Sequence, residues 1–143
     1  MAKKNKNAHI DHLGGVPLFA GLSRKDLERL AQLCNEVNVP AGKELVTQGS
    51  VGFECFVIVE GEAKVERNGH LLRTLSAGDY FGEMALLDKG PRSATITALS
   101  PMTVLVMTPR EFSSALDDIK GLNTKIMAGL AKRIRELDQR LLG

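Results

Sequence analysis

Between Val37 and Thr108 turn formers punctuate the chain at short intervals: Pro40-Ala41-Gly42, Gly49, Gly52, Gly61, Asn68-Gly69, Gly78, Gly82 and Gly90-Pro91. The segments they separate include FVIVEGEAKVER, HLLRTL, SATITAL and TVLVMT, all rich in valine, leucine, isoleucine and threonine. Pieces this short and β-prone cannot make long helices. They predict about eight strands from Asn38 to Thr108, arranged as a small antiparallel sandwich or barrel. Asn68-Gly69 is the strongest hairpin signal, because a two-residue type I′ loop needs positive φ at both of its positions.

Helical patterning flanks this β region. Ser23 followed by Asp26 makes a capping-box-like start, and Leu27, Leu30, Ala31 and Cys34 then recur on one helical face. Upstream, residues 1–15 are polar and end in glycine, which predicts a flexible leader. Downstream, Pro109-Arg110-Glu111-Phe112 opens a second helical stretch that breaks near Gly121. Ile119, Leu122, Ile126, Leu130, Ile134, Leu137 and Leu141 form its apolar stripe, which can dock on the barrel or pair with a second copy.

Composition narrows the function. At 143 residues and 43% hydrophobic content the chain suits one domain, taken as 16–143 after the leader. A net charge of +2 gives no bulk attraction for nucleic acid. Cys34 and Cys55 sit in apolar surroundings without metal-ligand spacing and read as buried thiols, and His9, His12 and His70 read as surface residues. Without an apolar run of about 20 residues or a signal segment, the expected location is cytoplasmic.

One stretch interrupts the strands. In FGEMALLDKGPRSAT, residues 81–95, a single helical turn is expected from Glu83 to Leu87, entered from Gly82. The free backbone N–H groups of such a turn, with a glycine that admits close approach, favour an anion. Arg92 adds a fork for two phosphate oxygens, and Ser93 a hydroxyl and a backbone donor. Glu83 would repel that phosphate unless it faced another part of the ligand, and a ribose hydroxyl is its natural partner. On spacing alone, Arg92 as a solvated turn residue and Glu83 as a first-turn acid remain nearly as good a reading.

FGEMALLDKGPRSAT resembles the phosphate-binding cassette of the cyclic nucleotide-binding domains of catabolite activator-type regulators, cyclic-nucleotide-dependent kinase regulatory subunits and cyclic-nucleotide-gated channels. VPLFAGLSRKDLERLA, PAGKELVTQGSVGFECFVIVEGEAKV and the closing helical segment extend the resemblance over roughly residues 16–141. The resemblance implies a mainly β fold: an eight-stranded antiparallel jelly-roll barrel with an N-terminal helix, a one-turn cassette helix and C-terminal helices, the last capping the ligand. It places Gly82, Glu83, Met84 and Ala85 at the cyclic phosphate and ribose, with Glu83 accepting from the 2′-OH. Arg92 and Ser93 match the residues on the phosphate oxygens, and Ala94 the amide behind them. The chain departs from the family's Gly-Asp-x-Gly-Asp turn at Gly49-Ser50-Val51-Gly52-Phe53. It also has Leu137-Asp138 where catabolite activator-type regulators read adenine with Thr-Ser, which leaves Leu137 to cap the base apolarly and Arg133 to reach ribose, phosphate or Glu83.

The expectation is therefore a stand-alone sensor or regulatory domain for cAMP, ahead of cGMP, with no catalytic residue, metal or further cofactor. Its partners would be the nucleotide, a downstream protein and a second copy through the C-terminal helix, but neither nucleic acid nor membrane. A truncated transcription regulator and a degenerate dimerisation module are the alternatives. An enzyme finds no support, since no His/Glu cluster or nucleophile with its base has a credible local context.

Overall fold

The computed structural model describes residues 6–15, 19–82 and 90–142. Among these residues eight strands run in chain order as β1 (Asn35–Val39), β2 (Glu44–Val46), β3 (Cys55–Glu60), β4 (Ala63–Arg67), β5 (His70–Leu75), β6 (Tyr80–Phe81), β7 (Thr95–Ala98) and β8 (Met102–Met107). They form two four-stranded antiparallel sheets, ordered β1-β8-β3-β6 and β2-β7-β4-β5. The pairings are nested: β1 with β8, β2 with β7, β3 with β6 and β4 with β5. Such a set is one long hairpin rolled over on itself, the jelly-roll arrangement that the family resemblance implies. Its tip is Asn68-Gly69, with φ of 53° and 78°, the positive pair that a type I′ loop requires.

Two cores share the strands β3 and β8. Between the sheets lie Phe56, Ile58, Val65, Ile96, Val104 and Val106. On the outer face, Val57, Leu105 and Met107 pack with the helices. Both faces of β3 and β8 are covered in this way, so FVIV and TVLVM are continuous apolar runs rather than alternating ones.

Helix α2 (Arg24–Leu33) starts where the sequence indicates, with the Ser23 side chain accepting from the Asp26 N–H at 3.1 Å. Cys34 closes it, partly buried, and burial followed by the charge of Glu111 pushes its thiol up to about 12. Cys55 is buried, and neither cysteine is in a disulfide. The stretch expected to be a flexible leader differs: Lys6–Gly14 form helix α1, which sets Ile10 and Leu13 into the helical core. Two apolar side chains three residues apart suffice to dock one short helical face, although the surrounding residues are polar.

The C-terminal segment divides as the break at Gly121 predicts, into α3 (Pro109–Asp118) and α4 (Leu122–Leu142). Gly121 has φ +89° and makes the turn between them. Helix α3 opens with a reciprocal capping box: Thr108 Oγ1 accepts from the Glu111 N–H at 3.2 Å, and Glu111 Oε1 accepts from the Thr108 N–H at 3.0 Å. Thr108→Ala is expected to lower stability by about 1 kcal/mol, read as a reduced urea midpoint with an unchanged slope. The described side chains of the apolar stripe are only partly used. Ile119, Leu122 and Ile126 are buried, whereas Ile134 and Leu137 are exposed.

Candidate functional site

The site is built where β6 ends. Phe81 pairs with Phe56 of β3, and their rings stack with centroids 4.8 Å apart, which fixes the strand that delivers Gly82. Gly82 has φ +88° and passes so close to its neighbours that an added methyl would lie 2.5 Å from the Glu54 carbonyl oxygen.

Across from it, the turn at residues 47–50 is closed by Ser50, whose N–H and hydroxyl both donate to the Thr47 carbonyl. This turn holds the backbone of Arg92 on both sides. The Gly49 N–H donates to the Arg92 carbonyl at 2.8 Å, and the Arg92 N–H to the Ser50 carbonyl at 2.8 Å. Clamped in this way, Arg92 sends its side chain between Gly52 and Gly82: a methyl on Gly52 would meet Nε at 2.9 Å, and one on Gly82 would meet Nη1 at 3.0 Å. Two glycines thus form the walls of the guanidinium slot.

At 9% exposure, Arg92 is the sole buried charged side chain among the described residues. Nη2 donates to the Glu54 carbonyl at 3.0 Å. Burial lowers its pKa, opposed by Glu54 and Cys55, but a guanidinium remains a cation near neutral pH. Among the described residues it forms no ion pair. A desolvated positive charge anchored by a neutral carbonyl is suited to an anion that brings its own negative charge. Ser93 is exposed beside it and Ala94 is buried as the chain enters β7.

The structure therefore brings Gly82, Arg92, Ser93 and Ala94 into one corner. Glu83, Met84 and Ala85, with the one-turn helix expected there, lie outside the described residues. So does the side chain of Arg133, whose backbone belongs to α4. Leu137, also on α4, is 57% exposed. That helix nevertheless runs beside the strand leading into the site, since a methyl on Gly129 would stand 3.0 Å from Tyr80 Oη. Sequence reasoning found the 49–53 turn but not its work as the clamp and wall for Arg92; glycines at 49, 52 and 82 were the available signal. Among the described residues no group of His, Cys, Asp and Glu gathers as metal ligands, and no helix is long and apolar enough to cross a membrane.

This corner in a nested eight-strand roll defines a class, and the sequence of the class, described as the cyclic nucleotide-binding domain, matches residues 36–118. The chain belongs to that family, the cyclic nucleotide-binding domains. It is 34% identical over 117 residues to a cAMP-dependent protein kinase regulatory subunit of Eremothecium gossypii, covering 81% of this chain and 26% of that one. Among solved structures it resembles the catabolite activator protein of Thermus thermophilus, with a TM-score of 0.82 and 29% identity, over 87% of this chain and 61% of that one. It also resembles PKAR CBD2 with Sp-2Cl-cAMPS bound, with a TM-score of 0.77 and 25% identity, over 93% and 91% of the two chains. The chain thus spans about a quarter of the kinase subunit and three-fifths of the activator protein.

Proposed function

We propose that this domain is a cAMP sensor that acts by binding rather than by catalysis. The observation that carries the reading is the buried Arg92, walled by Gly52 and Gly82 and held by the Glu54 carbonyl, in a chain of this family. In this reading Arg92 and Ser93 take the two exocyclic phosphate oxygens, and the amide of Ala94 stands behind them. Gly82, Glu83, Met84 and Ala85 face the phosphate and ribose, with Glu83 on the 2′-OH. Arg133 approaches from α4 and Leu137 covers the base. The preference for cAMP draws support from the kinase regulatory subunit it resembles, and cysteines outside any disulfide suit a reducing cytoplasm.

The switch in this reading is α4. Its first turns are buried at Leu122 and Ile126, it passes Tyr80 at Gly129, and its later residues Ile134 and Leu137 are exposed. Binding can move the helix only if its two positions differ in ligand affinity. The exposed stripe is then available to the base, a second copy or a downstream protein. Calorimetric titration with cAMP and cGMP, joined to hydrogen exchange, tests this. The expected result is tighter binding of cAMP, with protection rising along α4 beyond Met127. Binding of neither nucleotide would end the sensor reading, and binding with unchanged protection would remove the switch.

A further inference from the structure

The hairpin tip of β4 and β5 reaches back to the phosphate corner. Arg67 Nε donates to the Ser93 carbonyl at 3.0 Å, across 26 residues of sequence. Beside it, Gln48 and Asn68 exchange two hydrogen bonds: the Asn68 N–H donates to Gln48 Oε1 at 2.9 Å, and Gln48 Nε2 donates to Asn68 Oδ1 at 2.9 Å. The Gln48 N–H in turn donates to Thr95 Oγ1 at 2.9 Å. Residue 48 lies within the turn that clamps the Arg92 backbone, so the hairpin tip, that turn and the segment from 92 to 95 form one closed hydrogen-bonded ring.

The Ser93 carbonyl is half of a peptide unit. No peptide bond among the described residues is cis, so in the planar Ser93–Ala94 unit the N–H of Ala94 points away from the carbonyl. Whatever holds the carbonyl also aims the amide. Arg67 gives that oxygen a charged donor from the side of the hairpin, which leaves the Ala94 N–H directed to the opposite side, with Ser93 at the same joint.

We infer that Arg67 is a positioning residue: by holding the Ser93 carbonyl, with Gln48 and Asn68 fixing the hairpin behind it, it aims the Ala94 amide at one of the two exocyclic phosphate oxygens. This rests on the cyclic nucleotide reading of the site. It makes the hairpin tip a determinant of which phosphate oxygen is recognised, although Arg67 itself need not touch the ligand. A type I′ tip with little freedom suits that task, because a slack hairpin would let the peptide plane rotate.

The two phosphorothioate diastereomers of cAMP, Sp and Rp, each replace a different exocyclic oxygen by sulfur and are the natural probes. Their affinities are measured by titration for the unaltered protein and for Arg67→Ala, Arg67→Lys and Gln48→Ala. Arg67 is exposed, so its replacement should leave the fold intact. Arg67→Ala is expected to weaken cAMP roughly tenfold and to bring the Sp/Rp affinity ratio towards one. Lysine, which can still donate to the carbonyl, should recover most of the ratio. Gln48→Ala, which changes no charge, should move the ratio in the same direction as Arg67→Ala. If Arg67→Ala weakens both diastereomers equally, the residue contributes only its field, and the positioning role is overturned. Wild-type affinity and ratio in that variant would overturn it too. An unaltered protein that binds no cyclic nucleotide would take down the functional reading together with this one, which is a separate and visible outcome.

Discussion

Replacing Arg92 by alanine is expected to weaken cAMP binding by about 2–4 kcal/mol, roughly 30- to 900-fold, in calorimetric titration. The effect should be large because this guanidinium is already desolvated and already fixed. Its backbone is pinned by Gly49 and Ser50 and its Nη2 by the Glu54 carbonyl, so little ordering is left to occur when the phosphate arrives. Removing it would leave a buried phosphate charge without its fork. Arg92→Lys should recover only part of the loss: an ammonium keeps the charge but cannot bond Glu54 and two phosphate oxygens in one plane. The thermal midpoint of the ligand-free protein should move far less than the affinity, since a buried cation contributes little net stability before its counter-charge is bound. Unchanged affinity in Arg92→Ala would remove Arg92 from the site.

What could be read in advance follows the range of the interactions involved. The Asn68-Gly69 hairpin, the Ser23 cap, the Thr108-Pro109 helix start and the break at Gly121 are each set by a few adjacent residues, and each is present. The nesting of eight short strands also agrees with the turn spacing. Helix α1 was not legible, because its docking depends on Ile10 and Leu13 meeting a surface supplied by other helices. The Arg67 bond to Ser93 was not legible either. Only the pairing of β4 with β7 and the roll of the sheet bring residues 67 and 93 together, and nothing local in AKVERNG marks its arginine as different from a solvated one. At the site, residue types pointed to Arg92 and Ser93 as anion partners. The walls at Gly52 and Gly82 arise only when distant segments fold against Arg92, and a glycine in a sequence does not tell a turn from a close approach.

Gly82 tests that distinction, and Gly82→Ala is expected to weaken nucleotide binding about as much as Arg92→Ala while also destabilising the fold. Two costs fall on the same methyl. At φ +88° an L side chain is strained by roughly 1–2 kcal/mol. The methyl would also stand 2.5 Å from the Glu54 carbonyl oxygen and 3.0 Å from Arg92 Nη1. That carbonyl is the acceptor that holds Arg92, so relieving the contact must move either the anchor or the guanidinium. Gly42→Ala separates the two costs. Gly42 has nearly the same backbone, φ +87°, but nothing within 4 Å of the added methyl. It should show the conformational cost alone, a lower urea midpoint with cAMP affinity unchanged. Equal affinities in the two variants would mean that the wall at Gly82 does not place Arg92. A selective loss in Gly82→Ala would tie the glycine to the phosphate through the carbonyl and the arginine it confines.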